Sequence, residues 1–252
     1  MPHDALKGWY VILLRPALTR GALLRAVKRH GARPIPLPGL RLAATEDTDA
    51  ANRSLEQALR APLVAVTSPA AVHFARQLPA WRHATSTRFA AVGSGSAQAL
   101  RRAGLTEVIA PEDRQDSEGL LALPQEMSLS SVGLVTAPGG RDRLATVLGE
   151  RGVSVRRADV YRRLPPRLDS RHLRALAAAD GPTALLHSSA EALANLHDAL
   201  PASAWRQLLR AQVIPSSERL AAQARELGFR VGPTAASATP RDLLAALERA
   251  AS

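Results

Sequence analysis

The side chains with chemical potential in this chain are small, and they lie just after short apolar runs. Thr67-Ser68 follows Leu63-Val64-Ala65-Val66, Ser188-Ser189 follows Ala184-Leu185-Leu186-His187, and Ser216-Ser217 follows Val213-Ile214-Pro215. Gly93-Ser94-Gly95-Ser96, Ser117-Glu118 and Pro138-Gly139-Gly140-Arg141 occupy similar places, each opening a segment with helical periodicity. Hydroxyl residues at such starts cap helices, Pro69 suits a first helical position, and Ser188-Ser189-Ala190-Glu191 reads as a capping box. The same starts carry free backbone N–H groups and the positive end of a helix dipole, which attract carboxylate or phosphate. Capping alone accounts for any single one of them. Five or six gathered on the carboxyl edges of parallel sheets point to an anion site.

Other catalytic templates fail. Gly93-Ser94-Gly95 begins like a dinucleotide loop but lacks the third glycine and the acidic residue downstream. There is no Gly-Lys-Ser/Thr phosphate loop, and no cysteine to form a disulfide, a thiolate metal site or a sulfur nucleophile. The seven histidines (His3, His30, His73, His83, His172, His187, His197) show no ligand spacing, so no metal is expected. His187 beside Ser188 suggests a nucleophile and its base, but neighbours on a strand point to opposite faces. Tyrosine occurs only at Tyr10 and Tyr161. Tyr10 opens an apolar run and fits a packing role. Tyr161 lies in an arginine-rich stretch expected between lobes. It suits either packing there or a hydroxyl that donates a proton or hydrogen bond in a cleft, and the residues leave both open.

A repeat positions these groups. Val11-Ile12-Leu13-Leu14-Arg15-Pro16 has its counterpart in Val132-Gly133-Leu134-Val135-Thr136-Ala137, and both read as buried strands. Each leads into a helix, over 20–27 and 141–148, that ends at a glycine suited to a left-handed cap, Gly31 or Gly152. That offset is 121 residues, and it returns from Ser68 to Ser189. It is 122 from Ser94 to Ser216 and 123 between 116–121 and 239–244. Five matches in order with so little drift argue for duplication. Strands alternating with helices predict βα units on parallel sheets, about five strands in each half, enough for a flavodoxin-like lobe. The proline-bearing stretches 33–42 and 154–166 oppose helix and read as linkers running side by side between the lobes.

Composition agrees with a packed protein. Hydrophobic residues make up 46% of 252, enough for one large domain or two ordinary ones. The start, Met1-Pro2-His3-Asp4, lacks the pattern of a signal peptide, and no apolar run reaches a membrane span, so a cytoplasmic protein is expected. The net charge of +11 fits an anionic partner, and equally a genome rich in arginine codons. Nucleic acid is not the expected partner, because aromatics make up only 3% and no recognition module is present.

The order of these motifs resembles the uroporphyrinogen-III synthase family from Val11 to about Leu247. The carriers are Arg15-Pro16, Thr67-Ser68-Pro69-Ala70-Ala71-Val72, Ala91-Val92-Gly93-Ser94-Gly95-Ser96-Ala97, Ser117-Glu118-Gly119-Leu120-Leu121, Gly139-Gly140-Arg141, Val160-Tyr161-Arg162-Arg163, Ser188-Ser189 and Pro215-Ser216-Ser217-Glu218-Arg219. This chain has Ala70 where the family often carries asparagine, and Ser96 where it often carries threonine. The resemblance implies an α/β fold of two flavodoxin-like, doubly wound parallel-sheet lobes that exchange segments. One lobe would hold 1–36 and 165–252, the other 43–156, with 37–42 and 157–164 as a two-stranded linker. It implies cyclisation of hydroxymethylbilane, a linear tetrapyrrole with eight carboxylates, to uroporphyrinogen III, with loss of water, inversion of ring D and no cofactor. Thr67, Ser68, Ser94, Ser96, Gly139, Gly140, Ser188, Ser189 and Ser216 would hold carboxylates, Arg15 and Arg141 would add charge-assisted bonds, and Tyr161 would be the acid. The sequence carries no oligomer signal, so a monomer is expected, and the histidine spacing gives no reason to expect a metal. The rival reading is a non-catalytic bilobal binder or sensor of an anionic, tetrapyrrole-like ligand.

Overall fold

A computed structural model describes residues 4–110, 127, 129–139 and 142–251. Gly140, Arg141 and the expected helix start at Ser117 lie outside the described residues. In chain order the strands are β1 Tyr10–Leu13, β2 Arg33–Pro36, β3 Arg41–Ala44, β4 Val64–Val66, β5 Phe89–Ala91, β6 Val108–Ile109, β7 Ser131–Thr136, β8 Ser154–Asp159, β9 Tyr161–Leu164, β10 Thr183–His187, β11 Gln212–Pro215 and β12 Arg230–Val231. The α-helices described are α1 Gly21–Arg29, α2 Thr48–Leu59, α3 Pro69–Ala75, α4 Ser94–Arg102, α5 Asp142–Glu150, α6 Ser170–Ala177, α7 Ala190–Ala199, α8 Ala202–Leu208, α9 Glu218–Glu226 and α10 Pro240–Ala251. A 3₁₀ helix, Pro79–Ser86, follows α3. The chain divides into two compact units, Met1–Arg41 with Leu164–Ser252 and Leu42–Arg163.

The first unit is built on the sheet β2-β1-β10-β11-β12, parallel throughout. Parallel strands covered on both faces need near-continuous apolar sequence, and Val11-Ile12-Leu13-Leu14 supplies it. Val11 and Leu13 pack with Leu23 and Val27 of α1 and with Leu243, Leu244 and Leu247 of α10. Ile12 and Leu14 face the other way, towards Leu176 of α6, Leu193 and Leu196 of α7, and Leu208 of α8. The second unit repeats the circuit as β8-β7-β4-β5-β6, again parallel. Val64 and Val66 meet α2, α3 and α4 on one face, while Leu63 and Ala65 share the other with Leu144 and Leu148 of α5. Gly31, Gly104, Gly152 and Gly228 follow their helices with φ between +76° and +90°, the left-handed ends expected from the repeat.

The linker reading of 33–42 and 154–166 differs from the structure. Residues 33–36 and 154–159 are the edge strands β2 and β8 of the two sheets. Only β3 and β9 pair with each other. Prolines fit β2 because of the parity of its ladder. Arg33 N–H donates to Trp9 O at 2.8 Å and Leu37 N–H to Leu13 O at 3.0 Å. Pro34 and Pro36 therefore occupy the outward positions, where an edge strand needs no donor. The following turn is docked rather than free. Leu37 and Leu40 are buried, and Asn195 Nδ2 donates to Gly39 O at 3.1 Å. A Cβ at Gly39 would fall 2.1 Å from Ala192 O, so only glycine lets the turn lie against α7.

Among the described residues no helix is long and apolar enough to cross a membrane.

Candidate functional site

Because the strands of each sheet are parallel, the groups that follow them collect on one edge of each unit. In the second unit that edge carries Thr67, Ser68, Ser94, Ser96 and Gly139. Thr67 Oγ1 donates to Thr136 Oγ1 at 3.0 Å, tying the end of β4 to the end of β7. Ser68 is the N-cap of α3, with Pro69 at the first helical position, and accepts from Ala71 N–H at 3.0 Å. Its Oγ also lies 3.2 Å from the Tyr161 hydroxyl. Tyr161 is 7% exposed, and its ring stacks on Phe74 of α3, with centroids 5.4 Å apart and planes 12° from parallel. The packing weighed for Tyr161 is between lobes; these contacts lie within one unit, where its hydroxyl is also within hydrogen-bond distance of Ser68.

Ser94 does not cap α4. The N-cap is Gly93, Ser94 is the first helical residue, and Ser96 is buried in the first turn. The loop after β7 is held by two arginines. Arg157 Nη2 donates to Ala137 O at 3.1 Å while its Nε is shared between both Asp159 oxygens, at 3.0 and 3.1 Å. Arg163 Nη2 donates to Pro138 O at 3.0 Å. Gly139 beyond them has φ +65°.

In the first unit the same edge carries Arg15, Ser188, Ser189 and Ser216. Arg15 Nη2 donates to Ala238 O. Burial pushes its pKa down, although a guanidinium stays charged. Ser189, not Ser188, caps α7, accepting from Ala192 N–H at 3.3 Å. The expected capping box is therefore absent, since Glu191 falls one residue short of the third helical position. A capping box does form at α6, where Asp169 accepts from His172 N–H and His172 accepts from Asp169 N–H. Ser216 N–H extends the β10–β11 ladder by donating to His187 O at 2.9 Å, and Ser217 stands at the N-cap of α9 without a side-chain bond.

His187 serves no nucleophile. It is fully buried, its Nε2 lies 3.2 Å from Gln223 Oε1, and burial pushes its pKa down to about 4. Among the described residues no group of three or more His, Asp or Glu could hold a metal ion. Sequence reasoning missed Phe74, Arg157, Arg163 and Gln223. Arg163 stands in the motif Val160-Tyr161-Arg162-Arg163 without a role assigned to it, and Phe74 carries a signal as one of three phenylalanines in the chain, six residues beyond Ser68.

Comparison with known proteins gives the family and the shared fold. A family model described as uroporphyrinogen-III synthase HemD matches residues 21–245. The chain is 28% identical over 246 residues to the uroporphyrinogen-III synthase of Salmonella typhimurium, covering 94% of this chain and 99% of that relative. It is 31% identical over 163 residues to the Escherichia coli uroporphyrinogen-III synthase, covering 63% and 65%. The fold is shared with a mutant uroporphyrinogen III synthase of Thermus thermophilus, at TM-score 0.55 and 21% identity over 96% of this chain and 98% of that one. It is shared too with uroporphyrinogen-III synthetase of Helicobacter pylori, at TM-score 0.61 and 14% identity over 95% and 97%. Matched over residues 21–245, the chain belongs to the uroporphyrinogen-III synthase family.

Proposed function

We propose that this chain cyclises hydroxymethylbilane to uroporphyrinogen III, without a cofactor, acting as a cytoplasmic monomer. The family match over 21–245 carries the reading. The substrate offers eight carboxylates, and the sheet edges offer helix starts at Thr67-Ser68, Ser94-Gly95-Ser96, Ser188-Ser189 and Ser216 whose backbone N–H groups suit them. Arg15 supplies a charge at one edge. Gly139, Gly140 and Arg141 complete the proposed set. Each unit is read as a flavodoxin-like lobe, and the lobes as exchanging segments. The identical strand circuits support this, because each combines two strands from one half of the repeat with three from the other.

Holding a floppy tetrapyrrole so that its ends meet draws on the roughly 7–11 kcal/mol available from positioning. Tyr161 is proposed as the acid. Its proton goes to the departing hydroxyl, the carbon–oxygen bond breaks, and the hydroxyl leaves with the electron pair as water. The ring A nitrogen feeds electrons to the vacated carbon, giving an azafulvene in its protonated, cationic form. Ring D attacks through its substituted α carbon to form a spiro intermediate, which fragments and recloses with that ring inverted. The phenolate recovers a proton when the macrocycle sheds one, so the net loss is one water.

Coupling the chain to an enzymatic supply of hydroxymethylbilane and separating the uroporphyrinogen isomers tests the function. The type III isomer is expected. Type I alone, the product of unassisted closure, would refute it and leave a non-catalytic binder.

A further inference from the structure

We propose that the Ser68 hydroxyl is a positioning group for Tyr161, distinct from the backbone N–H groups this helix start offers to substrate, an inference that rests on the reading of Tyr161 as the acid. A serine hydroxyl has one proton and two lone pairs. One lone pair of Ser68 Oγ is taken by Ala71 N–H at 3.0 Å, and the Tyr161 oxygen lies 3.2 Å away, so one of the two remaining valences, the proton or the second lone pair, is directed to the tyrosine. Phe74, from the same helix, stacks on the ring beside that contact. Before substrate arrives the Tyr161 hydroxyl can donate to Ser68. When Tyr161 turns its proton to the departing hydroxyl, the Ser68 proton rotates to donate to the phenolic oxygen. The negative charge left on Tyr161 then meets a donor already in place, with no movement of the cap. The bond to Ala71 sets Ser68 Oγ, and Ser68 Oγ sets the direction of the Tyr161 proton.

This separates two functions of one side chain, capping and orientation, and substitutions divide them. Ser68→Asp keeps an acceptor for Ala71 N–H but has no proton to give the phenolic oxygen. Ser68→Thr keeps both. Turnover is expected to fall about tenfold in Ser68→Ala and at least as far in Ser68→Asp, with KM little changed, and to recover in Ser68→Thr. In a Tyr161→Phe background, itself strongly impaired, Ser68→Ala is expected to cost nothing further, because the atom it serves is gone.

A second readout avoids activity. In a Tyr10→Phe chain the remaining tyrosine is Tyr161, so a slowly exchanging tyrosine hydroxyl proton in the NMR spectrum belongs to it. That signal is expected in the parent and in Ser68→Thr, and should vanish in Ser68→Ala. Full turnover in Ser68→Asp, an undiminished cost of Ser68→Ala without the Tyr161 hydroxyl, or a persistent hydroxyl signal in Ser68→Ala would each overturn the inference. Unchanged turnover in Tyr161→Phe would instead remove the acid role, while the NMR result would still judge whether Ser68 holds the hydroxyl.

Discussion

Acid should weaken the first unit through one side chain, His187. Gln223 Nε2 donates to Ala190 O at 3.0 Å, which turns Gln223 Oε1 towards the imidazole. That oxygen can only accept, so the neutral ring carries its proton on Nε2. Its Nδ1 is buried and has no hydrogen-bond partner among the described residues. Protonation would place a charge where nothing receives it. Burial, with the nearby Arg219 charge, pushes the pKa from 6.5 down to about 4, against an opposing contribution from the Gln223 bond. The unfolded chain therefore binds a proton below about 6.5 that the folded chain refuses until about 4. Stability is full above pH 6.5 and falls as the pH drops through this window. Relative to pH 7, the loss is about 1 kcal/mol at pH 5.5 and roughly 2–3 kcal/mol at pH 4.5. Carboxylates titrate in the same range, so the measurement is a difference. Urea unfolding of the parent and of His187→Gln, which keeps an N–H for Gln223 but does not titrate, should give curves that converge by these amounts on acidification. Parallel curves from pH 7 to 4.5 would refute the reasoning.

Four other substitutions probe the scaffold. Gly39→Ala drives a methyl to within 2.1 Å of Ala192 O and should lower stability by about 2 kcal/mol or more, read from urea midpoints; a neutral result would mean that the turn can lift off α7. Ser189→Ala removes the bond to Ala192 N–H and should cost about 1 kcal/mol. The same change at Ser217, which makes no side-chain cap bond, should cost clearly less in the same assay. Leu193→Ala empties a fully buried site between α7 and the sheet, and thermal unfolding should report a loss of roughly 3 kcal/mol.

Local chemistry is legible in the sequence because it is written in neighbouring residues. The apolar runs of β1, β4, β7 and β10, the glycines that end four helices, and the Ser68-Pro69 start of α3 all appear where their spacing places them. The repeat of 121–123 residues announces that the two units share one plan. The carboxyl-edge location of Arg15, Thr67, Ser68, Ser94, Ser188, Ser189 and Ser216 follows once the strands are parallel. Exact caps are less legible, since Ser188 and Ser189 are equivalent in type and only the backbone direction at the end of β10 selects the second.

Tertiary structure decided what depends on partners distant in the chain. Prolines oppose helix in 33–42 but leave strand and linker alike until the ladder shows that Pro34 and Pro36 face outward on an edge, and that edge exists only because β1 lies beside β2. Turn 37–40 looks like a linker until α7 packs on it through Gly39. Tyr161 has two open roles in the sequence, and the fold sets it against Ser68, 93 residues earlier, and Phe74. Propensity and capping act over a few residues, whereas the direction of a buried hydroxyl is set by whichever groups the packed core brings within 3–4 Å of it.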